Sequence, residues 1–233
     1  MDAESSYESK QSFVVNIKSV EEIWALLESY GFEVEATLEC SDGVFRKTKS
    51  KTELTAYNNP PKARIKALRF VGFKSPGSTY ARVVVGGTNS VNVSFSVNGS
   101  VTQVSEMREA LVHTFDSIKP WYDVATKVDF LPLVALALIF FGFYTMFMSH
   151  EKGAAQITST EALIMAILTS LMIVLSFALI WALNKLKRLV FPKAVFLIGN
   201  GLQRDDVAEK VRWGVVVTFI VGMGCAFAFK PFA

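Results

Sequence analysis

Three long runs in the second half of the chain contain no charged residue: 130–148, 162–183 and 213–229. A helix needs about 20 apolar residues to cross the roughly 30 Å hydrocarbon core of a bilayer. The first two runs reach that length, and the third lies at the short end of the spanning range. Only a helix lets an isolated segment satisfy its own backbone in lipid. We therefore predict an all-α membrane domain, residues 129–233, with three transmembrane helices.

The first half of the chain has a shorter period. Apolar and polar residues alternate from Phe32 to Glu39, which is typical of a half-buried strand. Ser19 and Glu22 are spaced as a capping box, which predicts a helix over 19–30. Further strands are predicted at 12–17, 44–48, 65–70, 79–85 and 91–97. The pattern indicates an α+β domain, a mostly antiparallel sheet with one or two helices over residues 11–100, behind a disordered tail at 1–10.

A second helix is predicted between the sheet and the membrane. Apolar side chains at Val104, Met107, Leu111 and Phe115 share one helical face. The helix precedes Trp121 and Tyr122, a pair of amphipathic rings that often marks a membrane interface. We assign residues 101–128 to a linking helix and juxtamembrane segment, which would connect the sheet to the spans.

Basic residues between the runs predict the orientation. The connection after the first run carries one lysine, Lys152, whereas the connection after the second carries seven basic residues between Lys185 and Arg212. The positive-inside rule places the second connection in the cytoplasm. We therefore expect a multi-pass protein of the bacterial inner membrane, with the N-terminus cytoplasmic and the C-terminus outside. Cys40 and Cys225 would lie in water and in lipid, so no disulfide is expected.

The sequence gives little sign of catalysis. The chain has two histidines and two cysteines, without the spacing of a zinc site. Gly199-Asn200-Gly201 and Gly86-Gly87 lack the lysine and the strand-to-helix context of a phosphate loop, and we interpret them as turns. We expect a protein that is not an enzyme, with no catalytic residue, no metal and no cofactor.

Charge is segregated within the first domain. Residues 1–42 hold 2 basic and 10 acidic residues, a net charge of −8, and residues 43–82 hold 10 basic residues and one acid, a net charge of +9. One interpretation is that the acidic and basic segments neutralise each other. The other is a site for an anionic ligand such as a nucleotide or oligonucleotide. Its predicted residues are Lys62, Arg64 and Lys66, alternating along one strand, and then Arg46 and Lys49 on the neighbouring hairpin.

Small residues recur every fourth position in two of the predicted spans. They are Ala162, Ala166 and Ser170 in the second span, and Gly222, Gly224, Ala226 and Ala228 in the third. Such stripes let helices approach closely, within one subunit or between subunits. Three helices cannot enclose a water-filled pore, so a pore would need a homo-oligomer in membrane lipid.

The layout of a polar domain before a few uncharged spans, with Phe191-Pro192-Lys193-Ala194-Val195-Phe196-Leu197-Ile198-Gly199 after the second span, resembles the small membrane effectors of prokaryotic antiviral systems, such as the channel effector of the Hailong system. The resemblance implies a tetramer and a role in antiviral defence, and it transfers no functional residue. We predict an oligomeric pore or ion channel gated by its cytoplasmic domain. The alternative is a membrane-anchored binding or scaffold module that recruits a cytoplasmic partner.

Overall fold

The computed structural model describes residues 2–74, 79–87, 92–132, 134–136, 138–140, 142 and 159–229. Within helices, the side chains of 159–166, 169, 223 and 226–229 lie outside that description. The chain divides into two compact units, one made of Met1–Asp123 with Val190–Ala233 and the other of Val124–Leu189. The first unit therefore contains both the predicted soluble domain and the segment that follows the second predicted span.

The first unit is built on a six-stranded antiparallel sheet. Its strands are β1 (Asp2–Ser9), β3 (Glu33–Cys40), β4 (Phe45–Thr48), β5 (Ile65–Phe73), β6 (Tyr80–Gly86) and β7 (Val93–Ser100), in the spatial order β1-β7-β6-β5-β3-β4. A shorter parallel pair joins β2 (Phe13–Asn16) to β8 (Ala194–Leu197). The predicted antiparallel sheet domain is confirmed.

Two helices, α1 (Ile17–Ser29) and α3 (Val101–Ser117), cover one face of the sheet. The core lies between them and the inward residues of the strands, where Leu68, Phe70 and Val83 are fully buried. The predicted capping box is wrong, because the side chain of Asn16 caps α1 by accepting from the backbone N–H of Ser19. A short helix, α2 (Lys51–Thr55), is capped by Ser50.

The predicted disordered tail is instead an edge strand. β1 pairs in antiparallel fashion with β7 along its whole length, from Asp2 opposite Ser100 to Ser9 opposite Val93. The tail looks polar because only alternate residues face the helices, and Tyr7 is the one large apolar group among them. Its ring stacks on Phe95 with 5.4 Å between centroids, which holds the strand on the sheet.

The helix predicted to link the sheet to the membrane belongs to the sheet domain itself. Val104, Met107, Leu111 and Phe115 are all buried in the core beside β1 and β7. The apolar face was predicted correctly, but its partner was not: the sheet offers the surface that this face needs.

The segment after the second predicted span also belongs to the sheet domain rather than to a membrane domain. β8 pairs with β2, and the backbone N–H of Phe13 donates to the carbonyl oxygen of Lys193 at 3.0 Å. Phe196 and Ile198 are buried in the core. The boundary predicted at residue 129 is therefore wrong for these residues, because Phe196 and Ile198 supply a buried face on one side of a short strand.

The remaining helices are α4 (Asp123–Lys127), α5 (Phe130–Phe140), α6 (Ser159–Val190) and α7 (Gly201–Phe229). Among the described residues one helical stretch, Ser170–Val190, is long and apolar enough to cross a membrane. The first predicted span begins in α5, and its remainder, 143–148, lies outside the described residues. The third predicted span lies in α7 without meeting that criterion, so three spans are not confirmed.

Candidate anion-binding site

The three basic residues predicted to share a strand face are all exposed. Lys62, Arg64 and Lys66 alternate with buried Ala63 and Ile65, as a period of two requires. The strand itself begins only at Ile65, so Lys62 and Arg64 precede it, and the pairing of β5 with β3 is irregular at Lys66. The prediction of one regular strand is wrong here, while the prediction of a shared exposed side agrees with the burial.

A serine in the β3–β4 turn fixes the backbone of this segment. The Ser41 backbone N–H donates to the Arg64 carbonyl oxygen at 2.7 Å, and the Arg64 N–H donates to Ser41 Oγ at 2.9 Å. The Ser41 hydroxyl donates to the Lys62 carbonyl oxygen at 3.2 Å. Lys62 and Arg64 therefore sit on a backbone that is held in place, although their side chains are free to meet solvent.

Arg46 is less available than the sequence predicts. Its guanidinium donates two hydrogen bonds to the Asp42 carboxylate, at 3.2 and 2.6 Å, and lies 5.8 Å from the centre of the Tyr57 ring. The hydrogen bond from Arg46, followed by one from the Val44 N–H, lowers the pKa of Asp42 to about 2. Arg46 thus supports the interpretation of internal neutralisation.

The lysines of the basic segment differ in whether a carboxylate lies close to them. Lys47 pairs with Glu35 at 3.8 Å, again within the sheet. Lys49, Lys62 and Lys66 have no carboxylate partner within the described part of the chain. Both interpretations of the charge pattern therefore apply, each to a different set of residues.

The structure adds a cation that the sequence did not suggest. Arg204, in the first turn of α7, donates from Nη1 to the Asn59 carbonyl oxygen at 2.9 Å. Burial lowers the pKa of Arg204, and so does the positive charge of Arg64. Two guanidinium groups therefore act on the same region, and an anion bound there would interact favourably with both.

These two arginines line a groove of about 210 Å³. Its other lining residues include Asn59, Ile65, Pro192, Phe196, Gly201 and Asp205. The volume is below the roughly 300 Å³ at which pockets for drug-sized ligands begin. It suits a phosphate group of a larger ligand that continues across the exposed lysines. We call this the Arg64–Arg204 groove.

Hydrogen bonds of the Asn59 side chain connect two of the segments that line the groove. Asn59 is buried, its side-chain nitrogen donates to the Phe196 carbonyl oxygen at 3.3 Å, and its side-chain oxygen accepts from the Ile65 N–H at 3.0 Å. One side chain thus joins the start of β5 to the end of β8. Its backbone has a φ of 46°, a conformation that asparagine tolerates better than most residues.

Glycine lets α7 begin at this point. A Cβ at Gly201 would come 2.0 Å from the Phe196 carbonyl oxygen and 2.8 Å from Asn59 Nδ2. Any side chain would therefore push the first turn of α7 away from the groove. The backbone N–H groups of Gly201 and Leu202 donate to the Ile198 and Gly199 carbonyl oxygens, at 3.0 and 3.2 Å, so the positive charge of the groove comes from the two arginines.

The carboxylate in the groove does not cancel this charge, because Asp205 is already paired. Its Oδ1 lies 2.5 Å from Nη2 of Arg212, two turns further along α7. Arg212 is 2% exposed and packs 4.9 Å from the Tyr122 ring centre. Burial raises the pKa of Tyr122 to about 12, so its hydroxyl stays neutral at physiological pH.

Two tryptophans mark the point where α7 becomes apolar. Trp121 and Trp213 stack with 5.2 Å between ring centroids. Trp121, predicted to lie at a membrane interface, remains 53% exposed despite this contact. Stacked, amphipathic rings at the start of an uncharged run fit the position of lipid headgroups.

The predicted small-residue stripes are described only in part. Ser170 is exposed on α6, and a Cβ built at Gly222 or Gly224 would meet no atom within 4 Å. The side chains of Ala162, Ala166, Ala226 and Ala228 lie outside the described ones. Helix packing at these positions stays a prediction.

The groove as a whole combines two guanidinium groups with one carboxylate that is already paired, an arrangement that can bind an anion. No protein-family model, no curated protein and no solved structure matches this chain.

Proposed function

We propose that this protein is an oligomeric inner-membrane effector whose Arg64–Arg204 groove binds a phosphate-bearing ligand and thereby opens a pore in the membrane. One observation carries the proposal: α7 is a single helix that starts in the groove and contains the whole uncharged run 213–229. A shift of its first turn on binding would be transmitted along a rigid element without any hinge.

A nucleotide or oligonucleotide fits the chemistry of the groove best. Two guanidinium groups that line one groove suit a phosphate. The exposed Lys62 and Lys66 lie on the chain next to Arg64 and would meet further phosphates of an extended ligand. The resemblance to antiviral effectors is consistent with a ligand made during infection.

The division of the chain supports an even number of membrane crossings before α7. β2 and β8 pair along Phe13–Asn16 and Ala194–Leu197, so the sheet domain before Asp123 and the segment after Val190 must lie on one side of the membrane. If Ser170–Val190 crosses once, the chain must cross a second time between Asp123 and Ser170. The uncharged run 130–148 is the segment that could do so, which supports the three-span topology with a cytoplasmic sheet domain.

The proposed pore requires several copies. Three uncharged spans per subunit supply neither an ionisable site for ion-coupled transport nor enough helices to enclose water. The small-residue stripes would permit close contacts between subunits. A tetramer is the assembly that the resemblance favours.

Ligand binding is tested on full-length protein in detergent. A mixture of nucleoside triphosphates and short oligonucleotides is titrated into the protein and followed by calorimetry. Replacing Arg64 and Arg204 together by glutamine should weaken binding at least tenfold, and replacing Lys62, Arg64 and Lys66 by alanine should flatten its salt dependence. Lys18→Ala, on α1, is the control and should change neither.

Coupling to the membrane is tested by dye release from vesicles that contain the protein. Lys210→Pro places a proline in the middle of α7 and should break the helix, at a cost of about 3 kcal/mol. We expect normal ligand binding with no dye release, whereas Lys210→Ala should behave as the wild type. If the wild type never releases dye with a ligand that binds the groove, the pore proposal fails.

The alternative is a membrane-anchored scaffold, favoured by the open face of the sheet. A second cavity there, of about 370 Å³, is lined by Glu8, Glu39, Arg69 and Arg82 among others. A mixed-charge surface of this kind suits a polar protein partner. Exchanging the spans for an unrelated anchor discriminates the two functions: retained activity in cells favours the scaffold, and lost activity favours the pore.

A further inference from the structure

The two edges of the six-stranded sheet carry opposite charge. β1 contains Asp2, Glu4 and Glu8 and no basic residue. At the other edge, β4 contains Arg46 and Lys47, and Lys49 and Lys51 follow with no acid among them. Asp42 neutralises Arg46, whereas Lys47 stays exposed beside its 3.8 Å contact with Glu35, and the described residues place no carboxylate on Lys49. Each edge has one hydrogen-bonded neighbour, β7 or β3, in the part of the chain that the structure describes.

Unprotected edges tend to pair with other chains. Here like charge opposes pairing of two β1 strands or two β4 strands, because acids would face acids and bases would face bases. Pairing of β1 with β4 of another copy places acids opposite bases, which favours the contact. The charges therefore select one partner, a second copy of this chain, and one way of joining it.

Strand direction allows the same arrangement. Neighbouring strands are antiparallel at every step across the sheet, from β1 to β4. With six strands, β1 and β4 run in opposite directions. A second copy in the same orientation thus places its β1 antiparallel to β4 of the first, and the sheet continues without a change of pattern.

Side-chain direction fixes the register. Phe45, Lys47 and Lys49 are the exposed residues of an alternating pattern, and on β1 the exposed residues are Asp2, Glu4, Ser6 and Glu8. With Phe45 opposite Ser6, Lys47 faces Glu4 and Lys49 faces Asp2. Both lysines then face an acid across the strands. Phe45, which is 58% exposed, would also be covered.

We propose that copies of this protein assemble head to tail by pairing β4 of one subunit with β1 of the next, in the register that places Lys47 opposite Glu4. The contact joins two different surfaces, so repetition gives a ring if the rotation closes. Copies embedded in one membrane share a plane, which favours closure. The proposal extends the oligomeric function above, although it uses neither the groove nor its ligand.

The test is disulfide trapping of the full-length protein in membranes, in a Cys225→Ala background. Ser6→Cys and Phe45→Cys are combined in one chain, since this pair leaves the four charges in place and directly opposite Cβ atoms lie about 4.5–5.5 Å apart. Oxidation should give a ladder of dimers, trimers and larger species on non-reducing gels. Mixing the two single variants should give dimers alone. Phe45→Cys with Ser94→Cys, which lies on the interior strand β7, is the matched control and should give none.

Charge reversal then tests whether these charges determine which edges pair. Asp2→Lys with Glu4→Lys should reduce the ladder by about fivefold or more, and adding Lys47→Glu with Lys49→Glu should restore it. The proposal is overturned if the ladder is absent, if Ser6→Cys alone gives equally strong dimers, or if reversal has no effect. Dye release is measured in the same membranes. If the ladder is missing but dye release is intact, the β4–β1 interface is wrong and the pore proposal stands. If the ladder forms but no dye is released, the interface stands and the pore proposal is wrong.

Discussion

The Asp42 side chain shows that part of the segregated charge is neutralised by contacts between residues close in sequence. Its carboxylate accepts two hydrogen bonds from Arg46 and one from the Val44 N–H. Net charge counted along the sequence places these residues in opposing blocks, although they neutralise each other across one turn. At the residue scale, the available cations are those without a carboxylate partner in the described part of the chain, which include Lys49, Lys62 and Lys66.

The Asp42 carboxyl should titrate well below its ordinary value of 3.8. Because its pKa in the folded state is lowered to about 2, the contribution of the Asp42–Arg46 contact to stability is complete above pH 3.8 and is lost as the pH falls through about 2. NMR titration of the side-chain carboxyl carbon measures the midpoint. Arg46→Gln should move it back toward 3.8, and an unchanged midpoint would contradict the assignment of Arg46 as the main cause.

Elements of this fold are positioned by contacts between segments far apart in sequence. α7 begins where Asn59, in the connection before β5, meets Phe196 in β8. Gly201 is required there because the Phe196 carbonyl oxygen occupies the space of a side chain. The start of α7, and therefore the groove, depends on this close approach.

Gly201→Ala should destabilise the sheet domain by about 1–3 kcal/mol, since the added methyl group overpacks the contact with Phe196 and Asn59. Gly214→Ala is the matched control on the same helix, where a Cβ would meet no atom within 4 Å. That change should be neutral or stabilise by up to about 1 kcal/mol through helix propensity. Thermal unfolding of the full-length protein in detergent, followed by circular dichroism, compares them. Equal effects would mean that α7 does not start against β8.

α3 should behave as part of the core rather than as a separate link. Leu111 is fully buried, and Leu111→Ala should lower the free energy of unfolding by about 2–5 kcal/mol. Val101 lies on the same helix and is 46% exposed, so Val101→Ala should cost less than about 0.5 kcal/mol. Denaturant unfolding in detergent gives both values. Small effects at both positions would indicate that α3 can detach from the sheet.

At the scale of the whole molecule, the sheet domain is completed by chain from both sides of the candidate span. Residues before Asp123 and after Val190 share one compact unit. The stretch 124–189 is thus an insertion within a folded domain, with both of its ends fixed on that domain.

Cysteine labelling tests this topology. In a Cys225→Ala background, Lys10→Cys and Gln203→Cys should react only with reagent that enters the cytoplasm, because both residues belong to the sheet domain. Ser149→Cys or Lys152→Cys, in the connection between the first two predicted spans, should react from outside the cell. An N-terminal reporter should stay cytoplasmic. Labelling of Arg204→Cys from outside would overturn the arrangement.

The sequence alone determined what depends on local periodicity. Alternation at 33–40, the apolar stripe of α3 and the apolar run 162–183, which overlaps Ser170–Val190, each reflect the geometry of a single element, so each could be predicted. Lys62, Arg64 and Lys66 are exposed as predicted, although Lys62 and Arg64 precede the strand. The edge strand β1 was missed because Tyr7 is the one large apolar residue on its inward side, which is too few to give a periodic signal.

Only the tertiary structure decided what those elements contact. Arg204 could not be assigned to the site from sequence, because the first turn of α7 reaches Arg64 through the parallel pairing of β2 with β8 and through Asn59. Likewise, the opposite charges of β1 and β4 mean little until the strand order makes them the two edges of one sheet. Pairing partners far apart along the chain leave no periodic signal, and contacts between them are fixed by packing rather than by spacing.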